Sequence, residues 1–221
     1  MAQISVFRRA FNVTAAAALV PDTQIAESDL RQLVRRSLLQ ELPRDKTDQR
    51  QFQLQPQVRE LVQQRAGDLT AAHERAIEYY WTIAQPKPWQ ELDDVAEYLE
   101  IFHHYCELQQ YAEALSTLWG SDCDSFLELR GYNLERTQLY QPLVVKWQPT
   151  DAKREGFGTM LNRLGIAYRC LAQYQQAIEF QQQSLDIARQ IGYGQGEAAS
   201  LINLGNAYDS LGQYQQAIEF Y

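Results

Sequence analysis

The 221-residue sequence is poor in the residues that most often carry chemistry. Its three cysteines, Cys106, Cys123 and Cys170, form no C-x-x-C pair, and no histidine lies at ligand spacing from them, so neither a disulfide framework nor a zinc site is expected. A reducing, cytoplasmic location follows from that cysteine usage. No stretch approaches the ~18 consecutive apolar residues of a membrane helix, so the chain is expected not to span a bilayer. The phosphate-cradling pattern G-x-x-x-x-G-K-[ST] does not occur in the sequence, which excludes an NTPase core of that type within it. His73, His103 and His104 are the only histidines, and no serine or cysteine stands in a nucleophile-elbow context; all three histidines are read as packing or solvated residues. The chain is therefore read as no enzyme, with no catalytic residue, metal site or cofactor.

What is present is enough to fold. Hydrophobic residues make up 45% of the sequence, sufficient for the cores of one large or two small domains. The net charge of −8 is unevenly spread: residues 1–70 hold ten lysines and arginines against eight acids, a net of +2, which leaves −10 on residues 71–221. An acidic C-terminal two-thirds repels phosphate backbones, so nucleic acid is disfavoured there and protein or peptide partners are favoured. FRRAFNVTAAAALVP (7–21) places two arginines ahead of an alanine-rich segment, as a twin-arginine export signal does. Asn12 and Thr14 interrupt its apolar part, which lacks leucine-rich density and leads to no convincing A-x-A cleavage site before Pro21-Asp22, so a short amphipathic helix through Ala15–Val20 is the better reading.

The octapeptide QYQQAIEF occurs at 173–180 and again at 213–220. The match extends to LNRLGIAYRCLAQYQQAIEF (161–180) against LINLGNAYDSLGQYQQAIEF (201–220), a period of forty residues that signals stacked supersecondary units. Leu161, Leu164, Gly165 and Tyr168 fall at i, i+3, i+4 and i+7 on one helical face, repeated by Leu201, Leu204, Gly205 and Tyr208. The two glycines sit where a second helix must approach closely. Gly212, with Ala172 as its counterpart, supplies the turn. Tyr174, Ala177, Ile178 and Phe180, with Tyr214, Ala217, Ile218 and Phe220, build the returning helix. The extra length is expected in DIARQIGYGQGEA (186–198), as an extended second helix and a turn through Gly192, Gly194 and Gly196.

This arrangement of Leu, Leu-Gly, Tyr and then Gly/Ala-x-Tyr-x-x-Ala resembles the tetratricopeptide repeat (TPR), in its longer, roughly forty-residue variants found in bacterial scaffold proteins; the usual period is ~34. The resemblance implies an α-solenoid of helical hairpins. EYLEIFHHYCELQQYAEALSTL (97–118) is a degenerate repeat with Phe102 at the glycine position, and RGYNLERTQLYQPLV (130–144) a fainter one with Arg136 near the alanine position. Together, residues 92–221 are expected to form a right-handed solenoid of about four hairpins with a concave face. The resemblance further implies a peptide-binding groove lined by the first helix of each hairpin, through Asn162, Arg163, Ile166 and Arg169 and then Ile202, Asn203, Asn206 and Asp209.

The first seventy residues follow another pattern. Ser28 is expected to cap a helix over SDLRQLVRRSLL, with Leu30, Leu33, Val34, Ser37 and Leu38 on one stripe. LLQEL and RQFQLQ then flank the turn-like PRDKTDQ as a β-hairpin, followed by a helix from Pro56. The acids Asp93-Asp94 are expected to cap a helix starting near Leu92. SVFRRAF, LVRRSLL and FQLQPQVREL resemble, in order and residues, the winged-helix domain after the nucleotide-binding core of bacterial STAND signalling NTPases of the NB-ARC/TPR kind, and HERAIEYY (73–80) is similar to their linking helix. Gln55 stands where that family often has a nucleotide-sensing histidine. The fold class expected is mainly α: a winged-helix-like domain over 1–70, a linking helix and turn over 71–91, degenerate TPR-like hairpins over 92–157, and two repeats over 158–221. The function implied is a non-enzymatic interaction or sensor module, with an NTPase core, covalently joined or separate, missing from this chain. The alternative is a DNA-binding regulator in which Arg31, Arg35 and Arg36 meet the major groove.

Solenoids need a polar terminal cap, yet the second repeat stops at Phe220-Tyr221 part-way through its returning helix, so the chain is expected to be a fragment. Amides from residue 198 onward should then exchange faster than those of 158–190 in a hydrogen-exchange experiment. Equal protection in a demonstrated monomer would show that the end is capped.

Overall fold

Local capping decides where the helices begin. The Asn12 side chain accepts the Ala15 N–H (2.9 Å) and starts helix α1, Val13–Leu19. Ser28 does not cap the next helix as the sequence suggests. The carboxylate of Asp29 instead reaches back to the Ala26 N–H (2.9 Å), and helix α2 runs Glu27–Arg35. It stops short of the expected end because Ser37 adopts φ +57 and the Leu38 N–H bonds back to the Leu33 carbonyl (3.0 Å). Strands β1, Leu39–Leu42, and β2, Gln51–Leu54, pair antiparallel with Leu39 opposite Leu54 and Glu41 opposite Phe52. Pro56 opens α3, Pro56–Arg65, from the exposed N-cap Gln55. Helices α4, Thr70–Ile83, and α5, Ala96–Glu107, follow.

This computed structural model describes residues 1–44 and 48–221; Asp45, Lys46 and Thr47, in the middle of the expected hairpin turn, lie outside the described residues. The fold is mainly α-helical with one β-hairpin among the described residues. Its contacts divide it into two compact units, Met1–Pro88 with Asp93–Gln110, and Trp89–Leu92 with Tyr111–Tyr221.

The first unit is built on one apolar core. Phe7, Phe11, Leu19, Leu30, Leu39, Phe52, Leu54, Ile77 and Ile101 are buried together. Phe11 adds a further bridge to the hairpin, exchanging backbone hydrogen bonds with Phe52 (2.8 and 2.7 Å). Both arginines of FRRAF are engaged in this unit. Arg8 holds the buried Glu100 of α5 through two hydrogen bonds (2.9 and 3.3 Å), and Arg9 pairs with Asp93. Asp93 is thus not the helix cap that the sequence suggests: a 3-10 turn occupies Leu92–Val95, and α5 starts at Ala96 with no side-chain cap. His73 of α4 and His104 of α5 meet in the core with their Nδ1 atoms 2.9 Å apart, and burial pushes both below the usual imidazole range.

The second unit contains α6, Tyr111–Gly120; α7, Cys123–Leu129; α8, Asn133–Lys146; α9, Arg154–Cys170; α10, Tyr174–Ile191; α11, Gly194–Ser210; and α12, Tyr214–Phe220. The two repeats share the same turn. After α9, Ala172 takes φ +58 and the Gln173 N–H bonds the Tyr168 carbonyl (2.9 Å); after α11, Gly212 takes φ +78 and the Gln213 N–H bonds the Tyr208 carbonyl (2.9 Å). Tyr168 stacks on Phe180 at 5.4 Å and Tyr208 on Phe220 at 5.3 Å, so the aromatic pair of each hairpin is also repeated. Of the three glycines expected in the next turn, Gly192 alone lies in it, at φ +69; Gly194 and Gly196 belong to the first turn of α11.

The faint echo over 130–144 holds together in an unexpected way. Gly131 takes φ +76 and ends α7, but Arg136 of α8 is fully buried at the position of the small Ala177 and Ala217. Its guanidinium donates to both carboxylate oxygens of the buried Asp124 (2.9 and 3.2 Å), to Glu128 (2.9 Å) and to Asn133 Oδ1 (3.2 Å). Arg163 of α9 also pairs with Asp124 and lies over the Trp119 ring at 5.2 Å. Trp119 in turn donates to the Tyr140 hydroxyl (3.0 Å). Burial alone would raise the Asp124 carboxyl, but Arg136, Tyr140 and Arg163 outweigh it and hold the group below its usual range.

Two predictions follow from these contacts. An alanine in the left-handed region costs ~1–2 kcal/mol, partly offset by glycine's greater freedom when unfolded. Ala172→Gly should therefore raise the unfolding free energy by roughly 0.5–1 kcal/mol in denaturant melts, and Gly212→Ala should lower it. Asp124→Asn leaves Arg136 buried with half its anionic partnership and should cost about 3–5 kcal/mol at neutral pH. The folded carboxyl lies below its unfolded value of ~3.9, so the contribution is complete well above that pH and is lost as pH falls through the folded value. Unfolding monitored by tryptophan fluorescence should accordingly show the difference between parent and variant narrowing in acid.

Candidate functional site

In each repeat a glycine on the first helix leaves room for a side chain that packs over it. A methyl group at residue 165 would lie 2.6 Å from Gln181 Nε2, and one at residue 205 would lie 2.6 Å from the Tyr221 ring. Gln181 and Tyr221 are themselves forty residues apart, so the second repeat fills the same gap with an aromatic side chain.

Gln181 is nearly fully buried, and it uses the closeness to reach Asn162. Its Nε2 donates to the Asn162 carbonyl (2.8 Å) and its Oε1 accepts from Asn162 Nδ2 (2.8 Å). Asn162 Nδ2 also reaches Ser200 Oγ (3.4 Å), and Asn162 Oδ1 accepts from Asn203 of α11 (3.2 Å). Ser200 donates to Ser184 (3.0 Å), which donates to the Gly158 carbonyl (2.8 Å). One polar chain therefore ties α9, α10 and α11 together, and it fixes their inner surfaces.

Beside this chain lies a cavity of about 380 Å3. Its polar rim includes Glu128 of α7, Glu155 and Thr159 of α9, and Gln195 of α11, while Ile166, Ile187 and Ile191 give it apolar walls. Rigid helices with a few fixed polar groups around apolar walls are the general composition of a ligand-binding cleft.

The residues singled out in the sequence are distributed unevenly around it. Asn162, Arg163 and Ile166 line the cavity. Asn162 and Asn203 are joined to each other, and Arg163 is anchored by Asp124. Asn206 accepts from the Tyr221 hydroxyl (2.9 Å). Arg169 is partly buried near the end of α9, with an Nε that has no partner among the described residues. Ile202 and Asp209 are exposed on α11. Arg31, Arg35 and Arg36 are exposed along α2 and at its C-cap.

Pattern reading missed the contributions of α7 and α10. Ser125 and Glu128 precede the regular repeat. Ser184, Ile187 and Ile191 sit on the second helix, which a search of first helices passes over. The forty-residue period was the available signal, since the added length extends α10 to Ile191 alongside the cavity.

Residues 157–221 match the tetratricopeptide repeat family. No curated protein matches the chain. Among solved structures it is similar to a Signal Transduction ATPase with Numerous Domains (STAND) protein with a tetratricopeptide repeat sensor from Pyrococcus horikoshii, at 14% identity and a TM-score of 0.37. That comparison covers 100% of this chain and 42% of the archaeal one, so the chain spans about two-fifths of the length of that protein. By family match and by the repeated glycine, turn and ring-stack geometry, residues 157–221 are tetratricopeptide repeats.

Proposed function

We propose that the chain is a non-enzymatic, cytoplasmic interaction module whose repeats hold an extended protein or peptide segment against α9 and α11. The observation that carries this reading is the cavity of about 380 Å3 beside Asn162, Arg163 and Ile166, whose walls are fixed by hydrogen bonds running between repeats. A groove that is already ordered binds without the entropic cost of ordering itself. Arg169, Ile202, Asn203, Asn206 and Asp209 extend the surface along the same helices.

In this reading residues 1–70 are a winged-helix-like regulatory domain, 71–91 a link, 92–157 degenerate repeats and 158–221 the sensor repeats. The order of α1, α2, the β1–β2 hairpin and α3 supports the winged-helix assignment. The whole is the sensing part of a bacterial STAND-type, NB-ARC-like signalling protein, acting with an NTPase core that lies outside this sequence. DNA binding through Arg31, Arg35 and Arg36 is the second reading, favoured by their exposure on α2.

Peptide display against the purified chain, followed by anisotropy titration of the enriched peptide, tests the groove. Thr159→Arg and Ile166→Arg should each weaken binding at least about tenfold while leaving circular dichroism unchanged, and Glu179→Ala, exposed on α10, should not. Equal binding by all three variants overturns the groove. Duplex DNA bound at physiological salt, with an affinity that falls steeply with salt and is lost on neutralising the three arginines, would transfer the function to α2.

A further inference from the structure

The first unit has a cavity of its own, of about 350 Å3. Phe11, Tyr79, Tyr80 and Ile83 supply its aromatic and apolar lining, and Arg9 and Glu97 its charges. Arg9 is already paired with Asp93. Glu97 is not so provided for: its Oε2 is buried and has no hydrogen-bond partner among the described residues. Buried polar atoms are satisfied in the great majority of cases, and an acceptor left open on a cavity wall points to a donor that arrives with a ligand.

The neighbours of that oxygen define the donor. The Tyr79 and Tyr80 rings stand edge to face at 5.5 Å and line the same cavity as the carboxylate, and aromatic rings sharing a cavity with an anion make a site for a cation with an apolar stem. A neutral donor would leave the carboxylate charge unbalanced in a partly dry site. Burial, aided by Asp93 and Glu100, outweighs a backbone hydrogen bond and the attraction of Arg9 and holds Glu97 above its usual carboxyl range. We propose that this cavity binds a small organic cation, a primary ammonium or guanidinium on an apolar stem, with Glu97 as its anion and Tyr79 and Tyr80 flanking the stem.

The test is an NMR titration of the tyrosine ring resonances of the full chain with n-pentylamine, n-butylguanidine and uncharged 1-pentanol. Both cations should shift the Tyr79 and Tyr80 signals saturably, and pentanol should bind at least tenfold more weakly. Glu97→Gln should lower cation affinity at least tenfold. Tyr79→Leu, which keeps the carboxylate, should lower it severalfold and guards against a Glu97 variant that fails to fold. Absence of saturable shifts, equal affinity for pentanol, or cation affinity unchanged by Glu97→Gln overturns the proposal. Binding seen in Arg9→Gln but not in the parent overturns it too, since the Arg9 guanidinium would then be the natural occupant.

Discussion

The repeats depend on the space beside two α-carbons from which nothing projects, each filled by a side chain from the returning segment. With any side chain at residue 165, Gln181 could not hold both the backbone and the side chain of Asn162. Without Asn162 in place, α9 would lose its bond to Asn203 of α11. The cavity at the inner face is thus a product of close packing further out. The same argument applies at residue 205, where the Tyr221 ring closes over the gap and its hydroxyl reaches Asn206.

Each unit also places a buried acid against an arginine. In the first, Arg8 reaches in from the N-terminal segment to meet Glu100; in the second, Arg136 occupies a position that the repeat reserves for alanine. Neither pair is strong evidence of stability, because desolvation offsets much of the attraction. Their effect is on geometry. Bidentate contacts fix the orientation of α5 against the N-terminal segment and of α8 against α7, where apolar packing would tolerate rotation.

Much of this was legible in the sequence, and the reasons for the rest are specific. The forty-residue period gave the hairpins, the close-approach glycines and the turns at Ala172 and Gly212, since each depends on local pattern. The β-hairpin and the helix from Pro56 followed from alternation and from proline's tolerance at a helix start. Ser28 was a plausible cap, but Asp29 makes the bond that caps α2. Asp93 looked like a cap and is the partner of Arg9, more than eighty residues away in sequence. Arg136 read as a defect because its partner, Asp124, lies on the preceding helix and no pattern joins them. The meeting of His73 with His104, and the open oxygen of Glu97, are likewise products of tertiary packing that composition does not reveal.

Near-identical hairpins carry a hazard of their own: what fits one neighbour fits the next, so an array can slide or exchange partners with another chain. Here Asp124 acts as an address. The residue that meets it from the following hairpin is Arg163, and the counterpart forty residues on is Asn203, which has no charge to offer. A hairpin displaced by one repeat would leave the buried carboxylate with Arg136 but without its second cation. Two segments that read almost alike are thereby kept in a single order.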